Sequence, residues 1–143
     1  MDSKIWGPPL WFFLHSATLG YPEKPTSEDK YGMRILFDSL KITMPCTCKY
    51  NFRKELEILP LTDEILDSKE KLVKWLIDVH NLTNKNLGKP QKSYREVLQF
   101  YYDAYNKKTN HDSNICHSYG RFIIIVLLIV LVITLTIYFK NRK

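Results

Sequence analysis

The chain has little cysteine, three residues among 143, and two of them, Cys46 and Cys48, stand one residue apart. So few cysteines exclude a small extracellular scaffold stapled by disulfide bonds. In a cytosolic setting, a close pair of cysteines is more often used for redox chemistry or metal binding. The pair therefore needs a local explanation.

A secretory leader is also missing. Residues 1–20 lack the positively charged n-region, the continuous apolar stretch and the small-residue cleavage site of a signal peptide. Nothing therefore directs residues 1–121 into a lumen by the usual route, and we expect them to face the cytosol.

Three further absences narrow the choice of fold class and function class. The sequence has no internal repeat and no alternation of apolar and polar residues that is typical of a strand. Its net charge of +6 is carried by scattered lysines and the C-terminal tail. Because no basic stripe is interleaved with aromatic residues, nucleic-acid binding is not expected. The sequence predicts a small all-helical protein.

The longest apolar run, FIIIVLLIVLVITLTIYF at residues 122–139, contains eighteen residues without a charge. A helix of this length covers about 27 Å, close to the hydrocarbon thickness of a bilayer. A buried soluble helix is the alternative, but the run offers no polar face. We expect a transmembrane helix, preceded by a polar tether at 106–121 and followed by a basic tail at 140–143.

The orientation of this anchor has two readings. A single span near the C-terminus most simply gives a tail-anchored protein with a cytosolic domain. The basic tail favours the opposite arrangement, with a cytosolic C-terminus, under the positive-inside rule.

Helical periodicity and helix-capping residues cover residues 1–105. The predicted helices are 1–19, broken early by Gly7, Pro8 and Pro9; Thr26 to about Lys41; Pro45 to Pro60; Ser68 to Gly88; and Ser93 to about Tyr105. Their apolar faces are predicted at Trp11, Leu14, His15 and Thr18; Met33, Leu36, Phe37 and Leu40; and Leu72, Trp75, Leu76 and Val79.

The cysteine pair has four interpretations on its own. The first is a redox-active pair that exchanges disulfides. The start of a helix favours a thiolate, and a Cys46–Cys48 disulfide would be strained and hence oxidising. Two buried structural thiols are a second interpretation. Half of a zinc site completed by Cys116 and His117 is a third, although C-x-C fits the usual ligand spacing poorly. A thioredoxin-like site is the fourth, and no βαβ pattern supports it.

Polar residues on two apolar helices indicate a ligand or a polar core. His15 follows Trp11 by one helical turn, and His80 precedes Asn84 by one turn. Core packing explains each set alone. Burying such groups without partners is costly, and a flat polar ligand between the helices would satisfy them.

Four ordered blocks resemble the ALR/Erv-type FAD-linked sulfhydryl oxidases, in particular the short forms of large DNA viruses. The blocks are WGPPLWFFLHSATLGYPEKP, PCTCKYNF, WLIDVHNLTNKNLGKP and, more weakly, SYREVLQFYY. The third is highly specific. The resemblance spans residue 6 to about residue 105 and implies a four-helix bundle with a short fifth helix that binds FAD noncovalently, usually as a homodimer.

The resemblance also implies roles for individual residues. Cys46 would be the interchange thiol that meets the substrate, and Cys48 the thiol next to the flavin. Lys89 would lie near the diphosphate. The implied FAD-binding residues are Trp11, His15, Cys48, Phe52, His80, Asn81, Asn84 and Lys89, with Tyr94 and Tyr101 on the adenine side. No metal ion is implied.

The implied reaction passes electrons from a client dithiol through Cys46 and Cys48 to the flavin and then to O₂, which gives H₂O₂. The implied partners are dithiol proteins, such as a thioredoxin-like relay or virion membrane proteins, at a host or virion membrane. Two alternatives remain: a non-catalytic membrane-anchored assembly module with a degenerate C-x-C site, and a zinc-stabilised adaptor. This chain departs from the family's C-x-x-C and has no second, structural disulfide after Pro90.

Overall fold

The computed structural model describes residues 1–45 and 47–107, and no strand occurs in them. The described part is all-helical, as predicted. The helices are α1 (Ser3–Leu19), α2 (Ser27–Thr43), α3 (Cys48–Ile58), α4 (Asp63–Leu66), α5 (Lys69–Asn86) and α6 (residues 94–107).

The chain divides into two compact units, residues 1–98 and 99–143. Among residues 1–45 and 47–107, no helix is both long and apolar enough to cross a bilayer. The predicted membrane helix at 122–139, the basic tail and all of the tether beyond residue 107 lie outside the described residues.

Side-chain caps begin three of the helices at the predicted positions. The Thr26 hydroxyl accepts a hydrogen bond from the backbone of Asp29, whose carboxylate accepts one from the Thr26 backbone, so both halves of a capping box form. Ser68 caps α5. Ser93 and Glu96 exchange the same reciprocal bonds at the start of α6. Each cap satisfies backbone N–H groups that the first helical turn leaves without a partner.

The two prolines do not break α1, and that part of the prediction is wrong. The helix is continuous from Ser3 to Leu19 with Pro8 and Pro9 inside it. Each proline removes one intrahelical hydrogen bond. The carbonyls that lose these bonds belong to the exposed first turn, where they are accessible to water. Leu10 and Leu14 then pack against the core, and this burial keeps the helix intact.

The core of the first unit lies where α1 packs on α5, α3 packs on both α2 and α5, and α4 packs on α5. Phe37 of α2 meets Trp75 of α5 edge to face, with ring centroids 4.7 Å apart. The fully buried apolar side chains include Leu14, Phe37, Phe52, Leu66, Leu72, Leu76 and Val79. The predicted apolar faces are therefore confirmed, and the pairing of α1 with α5 brings their polar residues together.

Helix α4 has no counterpart among the predicted helices. It is one turn of four residues that begins at the Thr62 cap. The Tyr21 hydroxyl donates to the carbonyl of Leu66 at 3.0 Å, and the Trp75 indole donates to the carbonyl of Leu59 at 2.9 Å. These bonds hold the connection between α3 and α5 against the core. A single turn is too short to leave a periodic apolar pattern.

A Schellman motif ends α5 at the predicted stop. Gly88 adopts a φ of +66°. Its N–H donates to the carbonyl of Lys85 at 3.1 Å, and the N–H of Lys89 donates to the carbonyl of Asn84 at 2.8 Å. Glycine adopts this left-handed conformation without steric cost. The motif turns the chain sharply and fixes the position of Lys89 beside the helix end.

Replacing Gly88 by alanine is expected to lower the free energy of unfolding by about 1 kcal/mol, because alanine pays a steric cost at positive φ. An added Cβ meets nothing within 4 Å, so the effect comes from backbone strain alone. Urea unfolding measures it.

Gly32 provides a matched control, because it lies within α2 and its added Cβ also meets nothing within 4 Å. Gly32→Ala is expected to raise stability by about 1 kcal/mol through helix propensity. Equal effects of the two substitutions would contradict the assignment of strain to Gly88.

Candidate active site

Two histidines from α1 and α5 meet inside the first unit. His15 Nε2 lies 3.0 Å from His80 Nδ1, although the residues are 65 positions apart in sequence. His15 is 2% exposed. The sequence predicted that these groups need a polar partner, and the structure shows that they supply one to each other.

An aromatic ring completes this cluster. The Trp11 indole stacks on the His80 imidazole, with centroids 4.0 Å apart and ring planes 2° from parallel. We call Trp11, His15 and His80 the histidine cluster. It consists of flat aromatic rings, which suit a planar aromatic ligand.

The histidine cluster is uncharged near neutral pH. Burial, and then the neighbouring His80, lower the pKa of His15 to about 4. Burial lowers the pKa of His80 to about 4 as well, and the cations Lys89 and Lys92 add to the effect. With both rings neutral, the hydrogen on one ring nitrogen bridges to the lone pair of the other.

Lys89 and Lys92 form a basic edge beside His80. Asn81 holds this edge in place, because its amide nitrogen donates to the carbonyl of Lys92 at 2.8 Å and its oxygen accepts from the N–H of Lys92 at 2.9 Å. The Schellman motif fixes Lys89 from the other side. The segment 89–92 is thus held against α5, and its cations attract an anionic group.

Cys48 is the first residue of α3, three positions later than the predicted opening at Pro45. It is half-buried, packs against the core and is disulfide-bonded. Its partner, Cys46 or Cys116, lies outside the described residues. A helix N-terminus stabilises a thiolate through its partial positive charge, so Cys48 is well placed as the leaving sulfur in disulfide exchange.

A buried carboxyl group on α3 was not predicted from the sequence. Glu55 is 2% exposed. The Thr83 hydroxyl and the Asn86 amide, both on α5, donate to its two oxygens at 2.7 and 3.1 Å. The signal was present, because Glu55 follows Cys48 and Phe52 at helical spacing on the inward face of α3.

The other predicted site residues occupy different environments. Phe52 is 2% exposed within the apolar core, and Tyr94 is 39% exposed. Asn84 is half-buried, and its carbonyl accepts the Schellman bond. Tyr101 belongs to the second unit, where burial raises the pKa of its hydroxyl to about 12. The zinc alternative involves Cys46, Cys48, Cys116 and His117. Cys48 is disulfide-bonded, and the other three lie outside the described residues.

The fold and the site define an all-helical redox domain, with a disulfide-bonded cysteine at a helix start and a neutral aromatic cluster. The chain belongs to the Erv1/Alr family, whose family model matches residues 8–110.

A probable FAD-linked sulfhydryl oxidase of Acanthamoeba polyphaga mimivirus is 43% identical over 100 residues, which cover 69% of this chain and 70% of the relative. The FAD-linked sulfhydryl oxidase ERV1 of Arabidopsis thaliana is 38% identical over 84 residues, 58% of this chain and 42% of the relative. The crystal structure of the FAD-binding domain of Erv1 from Saccharomyces cerevisiae aligns with a TM-score of 0.60 and 31% identity, and covers 65% of this chain and 87% of that chain.

Proposed function

We propose that this chain is an FAD-dependent sulfhydryl oxidase that forms disulfide bonds in client dithiols and reduces O₂ to H₂O₂. The observation that carries the proposal is a disulfide-bonded Cys48 at the start of α3 in a chain of the Erv1/Alr family. The histidine cluster and the basic edge supply the rest of the site.

The residues present fit FAD by their chemistry. The histidine cluster offers flat neutral rings for the ring systems of the cofactor, and Lys89 and Lys92 offer cations for its diphosphate. Trp11, His15, His80, Asn81, Asn84 and Lys89 would hold the cofactor. FAD, when bound, accepts an electron pair from the cysteines and delivers it to O₂.

The cysteines carry out the exchange with the client, and we assign Cys46 as the partner of Cys48 in this step. A client thiolate attacks the sulfur of Cys46, the Cys46–Cys48 bond breaks, and Cys48 leaves as a thiolate. The second client thiolate then attacks the mixed disulfide and releases Cys46. The client has lost two electrons and two protons and gained a disulfide bond.

The charges around the site support this sequence. The start of α3 stabilises the departing Cys48 thiolate. The histidine cluster stays neutral, so it adds no positive charge beside the cations Lys89 and Lys92. Its planar faces would orient the cofactor, and its neutral rings would not form an ion pair with the Cys48 thiolate.

Asn81→Ala is expected to weaken FAD binding about tenfold, because it releases both hydrogen bonds that hold Lys92 against α5. Fluorescence titration of the full chain with FAD measures the dissociation constant. Gln99→Ala removes an exposed side-chain bond to Asp103 on α6 and serves as the control, with unchanged affinity. Wild-type affinity of the Asn81→Ala variant would show that the two hydrogen bonds to Lys92 have no role in FAD binding.

Oxygen consumption with dithiothreitol tests the proposed reaction. We expect one H₂O₂ for each O₂ consumed and for each dithiol oxidised. The absence of FAD-dependent oxygen uptake would overturn the proposal, and would favour a non-catalytic assembly module that retains the helical domain.

We also propose that residues 122–139 anchor the protein in a host or virion membrane, with the oxidase domain facing the cytosol. The anchor is supported by the uninterrupted apolar run, which is long enough for a helix to cross a bilayer. We further propose that the protein forms a homodimer. This is supported by large apolar side chains exposed on α1 and α2, among them Ile5, Phe13, Tyr31 and Ile42. Dithiol proteins of that membrane, or a thioredoxin-like relay, are the proposed clients.

A further inference from the structure

A buried polar contact joins the helix that carries Cys48 to the helix that carries His80. Glu55 lies on α3 seven residues after Cys48, which is about two helical turns. Its partners, Thr83 and Asn86, lie in the last turns of α5, where the Schellman motif ends the helix. No lysine or arginine of the described residues pairs with Glu55, since none of the ion pairs found there includes it.

Packing alone does not require a carboxyl group at this position. A leucine would fill the same inward face of α3, beside Phe52 and Leu56, without the cost of burying polar atoms. Hydrogen bonds differ from apolar contacts in being directional. Two of them, to different residues of α5, fix both the rotation of α3 about its axis and its height along α5.

We propose that Glu55 is a positioning residue that holds Cys48 in the place from which it passes electrons to the cofactor. This inference rests on the proposed oxidase function. Because α3 is a single helix of eleven residues, a rotation or slide at Glu55 moves Cys48 at its start. Electron transfer from a sulfur depends on such placement, and a displacement of about 1 Å costs on the order of a hundredfold in rate.

The two half-reactions of the flavin provide the test in the full-length, FAD-loaded protein. Reduction by dithiothreitol under anaerobic conditions passes through Cys48, whereas reoxidation by O₂ does not. Stopped-flow absorbance measures both. We expect Glu55→Leu to slow the reduction about ten- to a hundredfold and to leave the reoxidation rate unchanged.

Glu55→Gln is the conservative control. Its carbonyl oxygen accepts from Asn86, and its amide donates to the Thr83 hydroxyl, which lies 3.2 Å from the Val79 carbonyl and donates there instead. Both contacts with α5 are thus kept, and we expect a rate of reduction close to that of the wild type. If Glu55→Leu fails to fold, the double variant Thr83→Val, Asn86→Ala removes the same two bonds from the side of α5 and carries the test.

A second readout does not depend on the cofactor. In a Cys46→Ser, Cys116→Ser background, Cys48 is the sole thiol, and its alkylation rate by iodoacetamide reports its placement. We expect Glu55→Leu to change this rate severalfold and Glu55→Gln to leave it unchanged.

The outcomes separate this inference from the function on which it rests. A wild-type protein that is never reduced by dithiothreitol would defeat the proposed function. A wild-type protein that is reduced normally, with a Glu55→Leu variant that is reduced equally fast, would overturn the role of Glu55. A loss shared equally by reduction and reoxidation would also overturn it, because it would indicate general damage.

Discussion

Replacing Cys48 by serine is expected to abolish oxygen consumption with dithiothreitol, to below about a thousandth of the wild-type rate. Serine lacks the sulfur that leaves as a thiolate and donates the electron pair. The side chain is otherwise similar in size and packs in the same half-buried position, so the helical fold and FAD binding should remain. Oxygen-electrode traces together with the visible spectrum distinguish a loss of transfer from a loss of cofactor.

The chain offers a matched control, because its third cysteine lies far from the pair in sequence. Cys116→Ser is expected to keep full activity with dithiothreitol, while Cys46→Ser loses turnover with protein dithiols. If Cys48→Ser retained activity and Cys116→Ser lost it, the disulfide of Cys48 would not be the catalytic one.

Acidification is expected to destabilise the protein through the histidine cluster. Both histidines have a pKa of about 4 in the folded protein, against 6.5 as the ordinary value. Between these values the unfolded chain binds more protons than the folded one, so stability falls as the pH drops from 6.5 towards 4. For His15 alone, the loss between about pH 7.5 and about pH 5 is about 2 kcal/mol.

Urea unfolding at the two pH values measures this loss. His15→Gln should remove a large part of the pH dependence, because glutamine does not titrate. The double variant His111→Gln, His117→Gln alters the other two histidines of the chain and should keep the full dependence. An equally steep fall in the His15→Gln variant would show that other groups dominate the acid response.

Much of the fold could be predicted because periodicity and capping are local signals. Thr26, Ser68 and Ser93 cap helices at the predicted positions, and Gly88 ends α5 at a positive φ. The prediction failed where local rules competed with packing, at Pro8 and Pro9, since burial of the next turns of α1 outweighs two lost hydrogen bonds. It also missed α4, which is too short for a period to appear.

The site could be predicted in its residue types but not in its pairing. The sequence indicated that His15 and His80 needed polar partners, yet nothing local says that residues 65 positions apart will bond to each other. Asn81 and Glu55 show the same limit. Asn81 bonds to Lys92, and Glu55 accepts hydrogen bonds from Thr83 and Asn86. These contacts follow from the packing of helices and loops.

The visible absorption spectrum of the full-length protein, loaded with FAD, is the most direct test of the oxidase function. We expect a flavin band that bleaches when dithiothreitol is added without oxygen and returns when air is admitted, because Cys48 delivers electrons that O₂ then removes. A bound flavin that never bleaches would contradict the account, and so would a protein that binds no flavin.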